Sequence, residues 1–77
     1  MEKDLFEYIV KPLVDDPSAV SVNVVEGDAS LVLELSVGPG DIGKVIGKHG
    51  RVAKALRALL QAASAKAGKR AVLEILD

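Results

Sequence analysis

Residues 42–57 read Ile42-Gly43-Lys44-Val45-Ile46-Gly47-Lys48-His49-Gly50-Arg51-Val52-Ala53-Lys54-Ala55-Leu56-Arg57. Ile42, Val45 and Ile46 mark one short apolar helix, and Val52 and Leu56 open a second. Between them stands the turn Gly47-Lys48-His49-Gly50. Gly47 suits a left-handed closure of the first helix, and Gly50 allows a sharp entry into the second and a close backbone approach. The N–H groups at the start of a helix, with the helix dipole behind them, favour an anion lying over such a turn. Lys48 and His49 supply a positive tip, and Arg51, Lys54 and Arg57 carry that charge along the second helix. The stretch has the makings of a device for holding a phosphate backbone.

The elements on either side supply a scaffold. The apolar spacing of Leu5, Phe6, Ile9, Leu13 and Val14 predicts a helix over residues 3–14, bent or ended by Pro12 and closed by Asp15-Asp16-Pro17-Ser18. Phe6 and Tyr8 are the only aromatics and are expected at the core or its edge. Alternation over residues 20–26 and 30–37 predicts two strands joined by the hairpin turn Gly27-Asp28-Ala29, with Leu31, Leu33, Leu35 and Val37 facing inward. Gly38-Pro39-Gly40 breaks the second strand, and Asp41 is placed as N-cap of the helix over 42–46. The long helix is expected over 51–67 and capped by Gly68. Its expected apolar stripe is Val52, Leu56, Leu59, Leu60, Ala63 and Ala67, opposite Lys54, Arg57, Gln61 and Ser64. Residues 71–76 form the last strand, with Leu73 and Ile75 opposed to Val72, Glu74 and Leu76. The order helix, strand, strand, helix, helix, strand gives an α+β fold. A three-stranded mixed sheet carries three helices on one face, its last two strands parallel.

Two other glycine motifs are decoys. Gly38-Pro39-Gly40-Asp41-Ile42-Gly43 fits the dinucleotide pattern, yet no acidic residue lies between Asp41 and Glu74 to hold a ribose. Gly38 to Lys44 resembles a phosphate-binding P-loop, but Val45 stands where the metal-binding hydroxyl belongs.

The composition narrows the function classes. The 77 residues suffice for one domain, residues 1–77, with a thin core that buries ~60% of the unfolded surface. There is no cysteine, so no disulfide or thiolate site, which fits a reducing compartment. The charged start, Met1-Glu2-Lys3-Asp4, is unlike a signal peptide, and no apolar run approaches a membrane span. A cytoplasmic protein with no membrane contact is expected. The single histidine, His49, has no second histidine, cysteine or carboxylate at ligand spacing. No metal, cofactor or catalytic centre is expected, and His49 is read as a hydrogen-bond donor to phosphate. The net charge of -1 conceals a division. Residues 1–43 carry two basic and nine acidic side chains, a net of −7, while residues 44–77 carry eight basic and two acidic, a net of +6. Such asymmetry suits one face for a polyanion and another that avoids it.

The run Val45-Ile46-Gly47-Lys48-His49-Gly50-Arg51-Val52-Ala53-Lys54-Ala55-Leu56 resembles the signature of the KH-domain family. The element order resembles its type II topology. The length and the run from Gly43 to Lys48 resemble the small single-domain bacterial members, the KhpA group. The resemblance implies single-stranded RNA binding, with the G-x-x-G loop clamping the backbone of about four nucleotides. Carried over, Lys44, Gly47, Lys48, His49, Gly50, Arg51, Lys54 and Arg57 hold phosphates, and Ile42, Val45 and Ile46 line one wall of an apolar groove. Val72, Leu73 and Glu74, with Ile75, form the other wall and offer backbone groups to base edges. The short turn at Gly68-Lys69-Arg70 implies a shallow groove and modest base discrimination. The resemblance also implies an RNA chaperone or post-transcriptional regulator affecting cell shape and cell wall organization, acting as a homodimer or as a heterodimer with a larger KH-containing protein. The alternative from the residues is a protein-interaction module with little RNA affinity, since two aromatics give no stacking platform.

Overall fold

Alternating apolar and polar residues become the two faces of one sheet in the computed structural model, which describes residues 2–76. The elements are α1 (Glu2–Val10), β1 (Ser21–Glu26), β2 (Ser30–Ser36), α2 (Ile42–Ile46), α3 (Arg51–Ala65) and β3 (Arg70–Leu76). Short 3₁₀ turns occupy Lys11–Leu13, Pro17–Ala19, Pro39–Asp41 and Lys48–Gly50. The strand order is β1-β2-β3. β1 pairs antiparallel with β2, and β2 parallel with β3, as the connection through two helices requires. Val22, Leu31, Leu33, Leu35, Ala71 and Leu73 are buried on one face beneath the helices, with Phe6, Val10, Val45, Leu56 and Leu60 packed over them.

Four expectations need correction. The first helix does not run evenly to residue 14. Pro12 has no N–H to donate, so the α-helix stops at Val10 and the chain tightens into the 3₁₀ turn Lys11–Leu13. Phe6, Val10 and Val14 reach the core, while Leu5 and Leu13 are each 42% exposed. Tyr8 is not a packing residue: two positions from Phe6 on a helix, it points into solvent at 80% exposure.

The stripe of α3 is turned from the expected one. Ala53, Leu56, Leu60 and Ser64 face the core, while Leu59 is 46% exposed and Ala67 is also exposed. Ser64, assigned by polarity to the outer side, is buried because its Oγ donates to the Leu60 carbonyl at 2.8 Å and needs no other partner. The helix ends at Ala65, two residues short of the expected bound, and the expected glycine closes the turn that follows. Gly68 has φ of 70°, and N–H groups of Gly68 and Lys69 return to the carbonyls of Ala65 and Ser64 at 3.0 and 3.3 Å. Lys69 then reaches back to Glu26 and to the Gly27 carbonyl, fastening this turn to the β1–β2 hairpin.

Asp41 is not a side-chain N-cap for α2. Its carboxylate lies buried and turned backwards, accepting the N–H of Asp15 at 3.1 Å and of Asp16 at 3.0 Å. These two backbone bonds hold its pKa below the usual value of 3.8, aided by Lys44, against the opposing effect of burial. The side chain thus ties the loop after α1 to the head of α2. A carboxylate depressed in the folded state adds stability above its unfolded pKa, and that stability is lost as pH falls through the folded value. Asp41→Asn is therefore expected to melt at a lower temperature than the parent at neutral pH. The gap should close on acidification below 3.8. Thermal melts of both proteins across the acid range check this, and a gap that ignores pH would contradict it.

Candidate nucleic-acid interface

The turn between α2 and α3 is built from three successive backbone demands. Gly47 closes α2, its N–H donating to the Gly43 carbonyl at 2.8 Å, with φ of 77° and ψ of 170°. That is an extended mirror conformation open essentially only to glycine, not the left-handed helical closure expected from the sequence. A Cβ at Gly47 would lie 2.5 Å from Val52 Cγ2 and 2.9 Å from Val52 N, so the turn is folded tightly onto the first turn of α3. His49 and Gly50 follow in left-handed geometry, at φ of 59° and 72°. Histidine is among the residues that tolerate it. The Gly50 N–H bonds back to the Gly47 carbonyl at 3.1 Å, and the Arg51 N–H bonds to the Lys48 carbonyl. No side chain caps the start of α3. The positive end of a 15-residue helix therefore opens beside the exposed tip formed by Lys48 and His49.

The basic residues on and around the turn differ in whether a carboxylate already holds them. Lys44 is committed within the chain: its Nζ lies 2.5 Å from Asp15 Oδ2 and 3.4 Å from Asp41 Oδ1. The hydrogen bond to Asp15 is the main cause raising its pKa. Lys69 is committed to Glu26, and Lys11 lies 4.0 Å from Glu7. Among the described residues, Lys48, Arg51, Lys54 and Arg57 are exposed and form no ion pair. Lys54, Arg57 and Gln61 fall on one flank of α3, and that flank leads from the turn to the edge of β3. There Arg57, Leu60, Gln61, Ala71, Val72 and Leu73 line a cleft of about 220 Å³.

β3 is an edge strand. Its Arg70 N–H bonds inward to Ala29, at 3.0 Å. Alternation along the parallel ladder therefore turns the N–H and C=O groups of Ala71, Leu73 and Ile75 outward, along the rim of the cleft. Gln61 Nε2 donates to the Ala71 carbonyl at 3.4 Å. This side chain was read from the sequence only as part of a polar flank. Its place at the strand edge depends on how α3 lies across β3, for which the chain carries no local signal.

The apolar site residues are distributed unevenly. Val45 is wholly enclosed in the core, Ile42 is half-buried and Ile46 is 40% exposed. Leu73 is buried, whereas the side chains of Val72 and Glu74 are exposed on the face of the sheet opposite the helices. At the groove, β3 thus offers backbone groups more than side chains.

The geometry at Gly47 predicts unequal costs for two similar substitutions. Gly47→Ala should lose about 3 kcal/mol or more, because a glycine-only conformation and an overlap with Val52 act together. Gly50→Ala meets nothing within 4 Å, so only the left-handed backbone opposes it, at about 1–2 kcal/mol. Urea unfolding of the two variants measures the difference, and equal losses would remove Val52 from the explanation.

Known proteins resemble this chain. The model of the KhpA/KhpB KH domain matches residues 3–75. The chain is 53% identical over 76 residues to the RNA-binding protein KhpA of Borreliella burgdorferi, covering 99% of this chain and 93% of that protein. It is 54% identical over 74 residues to the RNA-binding protein KhpA of Clostridium perfringens, covering 96% and 99%. The RNA-binding protein KhpA of Aquifex aeolicus is 52% identical over 75 residues, covering 97% and 95%. Among solved structures, that of Era in complex with MgGDPNP and nucleotides 1506-1542 of 16S ribosomal RNA matches with a TM-score of 0.62 at 22% identity. The match spans 96% of this chain but 28% of that one, and it bears on the fold. A family match from Lys3 to Ile75, with relatives about half identical across their length, means that the chain belongs to the KhpA/KhpB family of KH domains.

Proposed function

We propose that residues 1–77 act as one KH domain that binds single-stranded RNA without catalysis, gripping about four nucleotides at the turn Gly47-Lys48-His49-Gly50. The observation that carries this reading is the separation of the cations. Lys11, Lys44 and Lys69 lie against carboxylates, while Lys48, Arg51, Lys54 and Arg57 stand exposed and unpaired among the described residues. An ammonium or guanidinium already paired has less to offer a phosphate; an unpaired one gains most from it. The relatives' name, RNA-binding protein KhpA, supports the same reading.

In this mechanism the phosphates of a short RNA segment lie over the turn and the open end of α3. Lys48 and His49 donate from above, and Arg51, Lys54 and Arg57 flank the backbone. Bases then turn toward the cleft beside β3, where the outward N–H and C=O groups of Leu73 and Ile75 meet their edges. Arg57 and Gln61 provide side-chain donors there. Ile42 and Ile46 supply apolar contact. Lys44 serves by steadying the head of α2 and contacts phosphate only by leaving its carboxylates.

One grip of about four nucleotides is weak, and pairing with a second copy or a larger KH-containing chain raises avidity. Such a cytoplasmic pair suits an RNA chaperone or post-transcriptional regulator, the role the resemblance implies. A pairing module with little RNA affinity is the second reading, favoured by the exposure of Tyr8 and the absence of any aromatic near the turn.

Fluorescence anisotropy with a single-stranded oligoribonucleotide separates the two. The parent chain should bind with a log–log salt slope of about −2 to −3, reflecting roughly four phosphates. Lys48→Asp combined with His49→Asp should abolish binding while leaving the circular dichroism and melting curve intact, because both side chains are exposed. Undiminished binding by the folded double variant would remove the turn from the RNA site.

A further inference from the structure

The cleft beside β3 joins an apolar floor to two polar side chains of opposite character. Leu60, Ala71 and Leu73 are buried beneath it, and Arg57 and Gln61 line its helix side. Four residues apart on α3, these two side chains lie one above the other on the same face. Gln61 Nε2 donates to the Ala71 carbonyl at 3.4 Å. A carboxamide turned the other way would set its own oxygen against that carbonyl, so the bond fixes which way round Gln61 stands. The Ala71 carbonyl is thereby occupied, and the free base-reading edge of β3 begins at Leu73. Gln61 Oε1 is left as an acceptor that receives no donor among the described residues. Arg57 has the reverse character. It carries five N–H donors and no acceptor, and it forms no ion pair among the described residues.

We propose that this pair makes the cleft selective for guanine, with Arg57 donating to O6 and N7 and Gln61 Oε1 accepting from N1–H and the 2-amino group. The inference rests on the RNA reading of the turn and adds the base to it. Guanine carries its two acceptors beside its two donors, and an arginine fork on O6 and N7 is the commonest specific contact to a base. In single-stranded RNA the Watson–Crick and Hoogsteen edges are both open to such contacts. Adenine has an amino group where guanine has O6, so it turns donors onto the donors of Arg57, and its N1 brings Gln61 no proton. Cytosine fails in the same way through its own amino group. Uracil offers O4 and N3–H but has nothing corresponding to N7, so it ranks second. Only two of the five donors of Arg57 face the base, and its charge still bears on the phosphates.

Fluorescence anisotropy at fixed salt tests the assignment, using seven-nucleotide adenine oligomers with guanine, uracil, cytosine or adenine at the centre. The full chain should bind the central-guanine oligomer about tenfold more tightly than the all-adenine one, with uracil between them. Arg57→Lys keeps the charge but loses the planar fork, and Gln61→Leu loses Oε1. Each should bring the guanine-to-adenine ratio toward one. The ratio is the readout because a general loss of phosphate affinity or of packing weakens all four oligomers alike. Circular dichroism shows whether each variant is folded. A second measurement needs no variant: in the isotope-labelled parent, the Gln61 side-chain amide should shift with the central-guanine oligomer and not with the all-adenine one. Equal binding of the four oligomers, a preference for adenine or cytosine, an unmoved Gln61 amide, or a ratio that survives both substitutions overturns the base assignment and leaves the RNA reading standing. Failure of all four to bind overturns the RNA reading and this inference with it.

Discussion

The close contact between Gly47 and Val52 is the constraint on which the remainder of the site rests. With a Cβ position only 2.5 Å from Val52 Cγ2, the turn has no room to lift away from α3 without losing its packing. The chain must leave α2 in a conformation open to glycine, then pass through two left-handed residues before α3 begins. That path throws Lys48 and His49 outward beside the uncapped end of α3. The backbone strain at His49 is held in place by what surrounds it, a common circumstance at binding sites. On the other side of α2, the buried carboxylate of Asp41 fixes the helix head to the segment after α1. A five-residue helix has little stability of its own. It is positioned from both ends, by the Asp41 bonds and by the Gly47 contact.

The division of charge acquires a physical meaning from the fold. The acidic half does more than avoid a polyanion. Asp15 and Asp41 hold Lys44, and Glu26 holds Lys69, at the two places where the α2–α3 connection joins the rest of the chain. These pairs are at least partly exposed, so each contributes modestly to stability. Their larger effect is to decide which cations stay available. Four of the available ones, Lys48, Arg51, Lys54 and Arg57, lie along the turn and α3, and the field of that strip is not cancelled locally. The sheet's far face, with Glu34 and Glu74, has the opposite sign. A polyanion meeting the molecule is thereby directed to one side of it.

Much of this was legible because periodicity reports burial. The strands' period of two, the glycine after α3 and the parallel return to β3 all followed from local pattern, and α+β with a mixed sheet is the observed fold. The departures have separate causes. Ser64 was misplaced because a hydroxyl that bonds to its own helix behaves as a core residue. Tyr8 was misplaced because its apolar ring suggested burial where the helical phase dictates solvent. Asp41 looked like a cap because its sequence neighbourhood is that of a helix start; its true partners lie 25 and 26 residues away. At the site, the turn and its charges could be read from spacing, but not the commitment of Lys44 to Asp15, nor the reach of Gln61 to the β3 edge. Both depend on tertiary approach, about which local pattern is silent.

The proposed RNA site lies on the helix-covered side of the sheet and at the β3 edge, and RNA should feel only that side. Amide chemical shifts during titration of the isotope-labelled chain with single-stranded RNA test this most directly. The account predicts that the largest changes fall on Lys48, His49, Gly50, Arg51 and Lys54, extend to Leu73 and Ile75 at the strand edge, and fade as salt is raised. Changes centred on Val25, Val32 and Glu34, or none at the turn while RNA binds, would contradict it.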